Sequence, residues 1–272
     1  MMQTALVIGD LHAGSPYAPF PAGFVTSYGT EHAPNPAQVY LNQCWAHMAD
    51  HLPPLDCIFA NGDMIDGQQP KDEGRYLCEP DPVWQARAAR ELLAPVLAKL
   101  KPGGKVLWRE GTDYHEGRAA RDAESLAEWC GAEHDHGRYA QAWKLTEIGG
   151  VVLDVAHNGP SFERYHAGAL NKVMGFADEN ADWLGGVDCL VRSHLHLDYW
   201  QVQHGLQIAV AVPAWEIQTH FAQKSKAPMR MISRWLGSVL LHIDPAWREM
   251  NQAPVQVTPL LYEHPRPGRE TL

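Results

Sequence analysis

The sequence contains few cysteines and no long uncharged apolar run. Its five cysteines are odd in number and show no C-x-x-C spacing, which argues against a disulfide framework and predicts free thiols in a reducing compartment. No apolar stretch approaches the roughly 20 residues that a transmembrane helix needs. The first residues, MMQTALVIGD, lack the basic start and long apolar core of a signal peptide. These absences predict a soluble, cytoplasmic protein with no membrane partner.

Basic residues are also in short supply. Lys and Arg number 22 against 32 Asp and Glu, which gives a formal net charge of -10 with His neutral. An acidic chain repels a phosphate backbone, so broad non-specific binding to nucleic acid is disfavoured. One stretch, KSKAPMRMISR, gathers Lys224, Lys226, Arg230 and Arg234, and we interpret it as a solvated loop.

The overall composition is that of an ordinary globular protein, with 45% apolar and 20% charged residues. A chain of 272 residues fits one large domain or at most two small ones. We predict a single domain over residues 1–272, whose last residues, 262–272, form a mobile tail.

Strands and helices alternate in the first part of the chain. Apolar runs that end in glycine predict buried strands over 4–9, 55–62 and 104–111, and helical patterns lie between them at 36–52 and 81–100. This alternation predicts parallel strands joined by right-handed crossovers. The second part is richer in strands, with hairpins predicted at Gly149–Gly150 and His204–Gly205 and a helix over 162–184. Two stacked sheets with helices outside accommodate the whole pattern.

Acidic and imidazole side chains follow the predicted strands. In such sheets a ligand site lies beyond the carboxyl ends of the strands. The candidates there are, in chain order, Asp10, His12, Asp63, His115, His157, His194 and His196. Mixed carboxylate and imidazole donors suit first-row transition metals rather than calcium. They are too many for one tetrahedral site, whereas two adjacent metals with one bridging carboxylate would use them all.

Five short segments occur in a recognisable order. They read GDLH, GDMID, GTDYHEG, AHNG and SHLH, and they extend from residue 9 to residue 196. This series resembles the calcineurin-like metallophosphoesterase superfamily, and its third segment is similar to variants in phage and prophage members. The resemblance implies an α/β fold, a four-layer α/β/β/α sandwich of two mixed β-sheets flanked by helices, with a dinuclear metal centre at the strand ends.

The resemblance also implies roles for single residues. Asp10, His12 and His196 would bind a first metal ion, and His157 and His194 would bind a second. Asp63 would bridge the two ions. The implied cofactors are two divalent transition-metal ions, with manganese expected and iron, zinc, cobalt or nickel as alternatives.

The third segment departs from the family pattern, which has Gly-Asn-His. Thr112 stands in the place of the asparagine, and His115 comes two residues later than expected. We predict that His115 is catalytic; completion of the second metal shell by His115 or Asp113 is the alternative, and Asp113 otherwise caps a turn. Asp66 is grouped with His115 as a candidate catalytic residue that orients an imidazole, or is a plain turn carboxylate.

These features predict a metal-dependent phosphoester hydrolase. Hydroxide held between two cations would attack phosphorus in line, and His115 would protonate the leaving alkoxide. We favour a phosphodiesterase acting on a nucleotide-type substrate; a DNA or RNA nuclease, a non-catalytic metal-binding scaffold and a mononuclear hydrolase are alternatives. The oligomeric state is left open.

Two further features bear on the substrate. The long loop after His12 carries four aromatic residues, which either stack on a base or pack within the loop: Tyr17, Phe20, Phe24 and Tyr28. The second is the HDH stretch at His134 to His136, interpreted as surface, with substrate contact as the alternative.

Overall fold

The computed structural model describes residues 2–69, 73–158, 166–196, 198–217, 219 and 233–265. Within these residues the strands, in chain order, are β1 (Gln3–Ile8), β2 (Leu55–Asn61), β3 (Leu100–Arg109), β4 (Ala140–Gln141), β5 (Leu145–Ile148), β6 (Val151–Ala156), β7 (Cys189–Arg192), β8 (Trp200–His204), β9 (Gln207–Ala211), β10 (Trp235–Ile243) and β11 (Val255–Glu263). The α-helices are α1 (Pro36–His51), α2 (Pro82–Leu97), α3 (Asp113–Glu116), α4 (Arg121–Trp129), α5 (His166–Glu179) and α6 (Ala181–Leu184).

The strands form two mixed sheets. The first has the order β11-β10-β1-β2-β3-β4, and the second has the order β5-β6-β7-β9-β8. Strands β1 to β4 are mutually parallel, as are β6, β7 and β9. The parallel strands of each sheet therefore present their carboxyl ends along a common edge, which is where a ligand site is expected.

Three apolar clusters separate four layers. Ala5 and Val7 of β1 face the second sheet and pack in one cluster with Leu153 of β6. The intervening residues, Leu6 and Ile8, face the other way and pack with α1, α2 and α4. A third cluster lies between α5 and the outer face of the second sheet. Both faces of β1 are thus buried, which explains its unbroken apolar sequence, and the predicted α/β/β/α sandwich is confirmed.

Local signals in the sequence account for the starts of the two longest helices, α1 and α2. Asn35 caps α1 in a capping box with Gln38, and Pro36 occupies the first turn. Asp81 caps α2 by accepting a hydrogen bond from the Val83 amide. Helix α4 was not predicted, although it buries Ala123, Leu126 and Ala127, an i, i+3, i+4 spacing that would have revealed it.

The predicted boundaries differ from the structure near the end of the chain. Strand β11 continues to Glu263, so the prediction that the tail begins at residue 262 is wrong. The ring of Tyr262 contacts Trp215 and His47, which holds the strand end in place. Residues 266–272 lie outside the described part of the chain, and the single-domain assignment stays a prediction.

Two predictions drawn from absences can be compared with the structure. All five cysteines are free thiols, as predicted. None of the helices in the described residues is both long and apolar enough to cross a bilayer.

A buried arginine joins the two sheets. Arg109, at the end of β3, donates from Nε to Val155 O of β6 at 2.8 Å and from Nη2 to Thr146 Oγ1 of β5 at 2.8 Å. Burial lowers the pKa of Arg109 to about 10, so the guanidinium stays charged at neutral pH. Its hydrogen bonds thereby tie the end of β3 to two strands of the second sheet.

We expect Arg109→Met to lower the free energy of unfolding by about 1–3 kcal/mol, because it leaves buried acceptors without a donor. Urea denaturation monitored by circular dichroism measures the loss. Arg90→Met, at an exposed position of α2, is the matched control and should change stability by less than about 0.5 kcal/mol. Equal losses in the two variants would contradict a linking role for Arg109.

Candidate metal centre

The candidate residues converge where five strands end. Asp10 and His12 follow β1, Asp63 follows β2, His115 follows β3, His157 follows β6, and His194 and His196 follow β7. Backbone hydrogen bonds join the segments within each sheet: Asp10 N donates to Gly62 O at 3.0 Å, and Ser193 N donates to His157 O at 3.1 Å. Asn61 Nδ2 crosses between the sheets to Ser193 Oγ at 2.8 Å.

Five of these residues adopt left-handed backbone conformations. Their φ angles are +52° for Asp10, +48° for His12, +51° for Asp63, +71° for His194 and +49° for His196. A left-handed conformation costs a non-glycine residue roughly 1–2 kcal/mol. Such strain persists where the surrounding structure imposes it, and it concentrates at functional sites.

Asp10, His12 and His196 form the first donor group, whose ligand atoms all lie within 4.8 Å of one another. His12 Nε2 is 3.0 Å from His196 Nε2, and Asp10 Oδ1 is 3.2 Å from His196 Nε2. Asp10 Oδ1 is buried and has no hydrogen-bond partner among the described residues. A buried carboxylate oxygen without a partner, facing two imidazole nitrogens, fits a divalent cation.

Asp63, His157 and His194 form the second donor group, within the same 4.8 Å limit. His157 Nε2 is 3.0 Å from Asp63 Oδ2, while its Nδ1 donates to Asn61 O at 2.8 Å. The Asn61 carbonyl can only accept, so the proton stays on Nδ1 of His157 and Nε2 points at the second donor group. The backbone amide of His194 donates to Asp10 Oδ2 at 3.0 Å, which connects the two donor groups.

Asp63 lies between the two groups. Besides the second group, its carboxylate lies within 4.8 Å of donor atoms of His12 and His115. It is 1% exposed and accepts hydrogen bonds from Thr112 N at 2.7 Å and Thr112 Oγ1 at 3.1 Å. The structure thus brings all the predicted ligands together and places Asp63 where a shared carboxylate is needed.

Opposite charges shift the pKa values at this site. Burial alone would raise the pKa of Asp63, but the charge of His157 and the hydrogen bond from its ring outweigh burial and hold that pKa well below its usual range. Burial alone would lower the pKa of His157, but Asp63 and Asp10 raise it to about 9. The carboxylates are therefore ionised at neutral pH, as metal ligands must be.

His115 and Asp66 lie beside the first donor group. His115 Nδ1 donates to Asp66 O at 2.8 Å, and the His115 ring packs edge-on against His12 with centroids 4.5 Å apart. Asp66 Oδ1 accepts from His12 Nδ1 at 3.2 Å. Asp66 therefore contacts both imidazoles, as expected of a carboxylate that orients them.

The single helical turn α3 explains the unusual spacing of the third segment. It begins at Asp113 and carries His115 back towards His12, so the two extra residues do not remove the imidazole from the site. Asp113 itself is exposed and belongs to no donor group in the described part of the chain. Thr112 contacts Asp63 rather than adding a donor to the second group.

Two buried glutamates at the site were not predicted. Glu116 accepts from Gly111 N at 2.5 Å and Met64 N at 3.3 Å, which joins the segments after β2 and β3. Burial and the charge of Asp63 raise the pKa of Glu116 to about 7. Glu216 follows β9 and lies beside His196. Its position soon after an apolar strand is the same signal that pointed to the other residues.

Two of the four aromatic residues in the long loop, the phenylalanines, pack against other side chains. Phe20 is fully buried and contacts Phe24 and His32, and Phe24 contacts Trp84. Tyr28 is 73% exposed and Tyr17 is half-buried. Packing within the loop therefore accounts for the two phenylalanines.

The other predicted surface features are only partly described. His134 and His136 are exposed, as predicted. Lys224, Lys226 and Arg230 lie outside the described residues, and Arg234 is exposed near Asp198.

The fold and the donor groups define the class of site as a candidate dinuclear metal centre in an α/β/β/α sandwich. No family model and no curated protein matches the chain. Several solved structures resemble it. Vps29 from Entamoeba histolytica, complexed with zinc, is 13% identical with a TM-score of 0.41, and the match covers 95% of this chain and 99% of that one.

Two further structures cover this chain but are longer. A putative 5'-nucleotidase from Staphylococcus aureus is 10% identical with a TM-score of 0.45, covering 100% of this chain and 56% of that one. A purple acid phosphatase from yellow lupin is 12% identical with a TM-score of 0.42, covering 89% and 49%. At TM-scores below 0.5 these likenesses assign no activity, and the evidence for the site is its own geometry.

A close approach of backbones holds the His115 segment against the segment after β2. Gly67 has φ = +71°, and a Cβ there would lie 2.1 Å from His115 O. Gly23 has φ = +72° but has nothing within 4 Å of a Cβ.

We therefore expect Gly67→Ala to lower the free energy of unfolding by about 1–3 kcal/mol more than Gly23→Ala, because only the former is overpacked. Both variants share the backbone strain of a left-handed alanine, so their difference isolates the packing. Urea denaturation of both provides the measurement, and indistinguishable losses would show that the two segments do not pack this closely.

Proposed function

We propose that the chain is a phosphoester hydrolase that depends on two divalent transition-metal ions and cleaves phosphodiesters of nucleotide type. The observation that carries the proposal is the position of Asp63, which belongs to the second donor group and also lies within 4.8 Å of His12, a member of the first. The site is open on one side, since the side chains of His115 and His196 are 20% and 24% exposed while Asp10 and His12 are fully buried. A phosphoester can approach from that side.

The first ion would be held by Asp10, His12 and His196, and the second by His157 and His194, with Asp63 serving both. Mixed nitrogen and oxygen donors are compatible with manganese, which is the ion we favour. When bound, two such ions lower the pKa of a water and offset the charge of a phosphate.

His115 is suited to protonating the leaving oxygen. Burial and the charge of His12 would lower its pKa, but the hydrogen bond that the ring donates to Asp66 and the charges of Asp63 and Asp66 outweigh them and raise it above the usual value. A raised pKa favours the protonated imidazole, which is the form that a general acid needs. Its Nδ1 is held by Asp66 O, which leaves Nε2 to face the substrate.

One observation favours a second candidate, a metal-binding scaffold without turnover. Thr112 stands where the resembling family has a ligand, and both its amide and its hydroxyl contact Asp63. The second donor group therefore has one donor fewer than the family pattern provides, which lowers its affinity for a second ion. Turnover with bound metals decides between the two candidates.

We expect the full chain, stripped with chelator and reloaded with Mn²⁺, Co²⁺, Ni²⁺ or Zn²⁺, to hydrolyse bis-p-nitrophenyl phosphate. Asp63→Asn should lower kcat by more than about 100-fold, because changes to outer partners of a metal already cost about 10–100-fold. Asp113→Asn, at an exposed carboxylate in the third segment, is the matched control and should keep parental activity.

Elemental analysis of the same samples separates the alternatives. Two ions per chain without turnover would support the scaffold, and a single ion with full turnover would support a mononuclear hydrolase. A parallel screen of nucleotides, cyclic nucleotides, single-stranded DNA and RNA tests the substrate class. Turnover of the polymers alone would favour a nuclease over the proposed nucleotide phosphodiesterase.

The general-acid role of His115 makes activity depend on the leaving group. We expect His115→Ala to lower kcat about 10²–10⁴-fold for a dinucleotide, whose leaving alkoxide needs a proton, and far less for bis-p-nitrophenyl phosphate. His134→Ala, at an exposed position, controls for loss of an imidazole elsewhere. Equal losses on both substrates would exclude His115 as the acid.

A further inference from the structure

The segment after β9 brings a buried carboxylate to the edge of the first donor group. The Glu216 side chain is 4% exposed, and no Lys or Arg in the described residues contacts it. A buried carboxylate is destabilising unless its surroundings compensate it. The contacts of Glu216 therefore indicate what it does.

Within the described residues Glu216 has two polar contacts, one with each oxygen, and it also forms a donor group with His12 and Asp66 whose ligand atoms lie within 4.8 Å of one another. Ser15 Oγ donates to Oε1 at 2.7 Å, and Oε2 lies 3.4 Å from His196 Nδ1. The other nitrogen of that ring, His196 Nε2, lies 3.2 Å from Asp10 Oδ1 and 3.0 Å from His12 Nε2. The imidazole of His196 thus lies between Glu216 and the atoms that would hold the first ion.

A neutral imidazole carries one proton, on either nitrogen. A carboxylate beside Nδ1 favours the proton there and leaves the Nε2 lone pair for a metal. Asp66 has the same relation to His12, whose Nδ1 is 3.2 Å from Asp66 Oδ1. Each imidazole of the first donor group therefore has a carboxylate behind it.

We infer that Glu216 is a positioning residue for the first metal ion, acting through the tautomer and orientation of His196. The inference rests on the proposed function, since it requires a metal at the first donor group. The competing explanation is purely structural. The Ser15–Glu216 bond and the bond from Ile217 N to Tyr17 O, 2.8 Å long, both fasten the segment after β9 to the long loop.

Glu216→Gln separates the two explanations. The amide oxygen still accepts from Ser15, but the amide nitrogen then faces His196 Nδ1 and favours the proton on Nε2. We expect the affinity of one of two Mn²⁺ ions to fall about 10–100-fold in calorimetric titration of the chelator-stripped full chain. The melting temperature of metal-free Glu216→Gln should match that of metal-free Glu79→Gln, the control variant.

The matched control is Glu79→Gln. Glu79 is also fully buried and also accepts from a serine, Ser27 Oγ, at 2.7 Å, but it belongs to no donor group in the described residues. Its replacement should leave both Mn²⁺ affinities unchanged.

Two histidine variants assign the affected ion. His196→Ala should weaken mainly the first ion and His194→Ala mainly the second. Adding Glu216→Gln to His196→Ala should have no further effect, because the ring through which it acts is gone. Adding it to His194→Ala should still weaken the remaining ion about 10–100-fold, which completes the double-mutant cycle.

The outcomes distinguish the inference from the proposed function. A parental chain that binds no metal would overturn the proposed function. If the parental chain binds two ions and Glu216→Gln leaves both affinities unchanged, the inference alone would be overturned. It would also be overturned if Glu216→Gln lowers the affinity further in the His196→Ala background.

If Glu216→Gln does not fold, Glu216→Asp supplies the test, since it withdraws the charge from Nδ1 by one methylene. Weaker binding of the first ion alone supports the inference, and unchanged binding overturns it.

Discussion

The buried charge of Asp63 is the constraint on which the rest of the site depends. A carboxylate at 1% exposure must be compensated, and its partners come from elements far apart in sequence. Thr112 N and Oγ1 reach it from the segment after β3, and His157 Nε2 reaches it from the second sheet. Only stacking of the two sheets, with the carboxyl ends of their parallel strands at one edge, brings these partners to the same carboxylate.

Polar side chains join the segments that carry the site. Arg109 joins the sheets below the site, Asn61 joins their strand ends, and Glu116 joins the segments after β2 and β3. Such networks specify one arrangement when every member is satisfied. They also explain how five ligand residues are kept in left-handed conformations, since each segment is bonded at several points and cannot relax separately.

The sequence was sufficient to predict the layers and the candidate ligands that the structure brings together, because strands buried on both faces give strong apolar signals and their ends are easily located. It was insufficient where side chains act over long distances. Glu116 and Glu216 follow strand ends as the candidate ligands do, but only the structure shows that each is buried against another segment. The inward return of His115 depends on α3, a single turn too short to predict. The left-handed φ of Asp63 is likewise imposed by its neighbours rather than by its own residue type.

The charges at the site make proton binding and metal binding exclusive. Asp10, Asp63 and Asp66 are buried together, and no Lys or Arg in the described residues contacts them. Without a metal, protons on the imidazoles compensate these carboxylates: Glu216, Asp10 and Asp66 raise the pKa of His12 well above its usual value against the effect of burial. A cation would be bound by the same ring nitrogens and would displace those protons. The negative charge of these carboxylates is therefore balanced by protons in the metal-free protein and would be balanced by cations in the metal-bound protein. A bound metal would thus stabilise the fold as well as supply the chemistry.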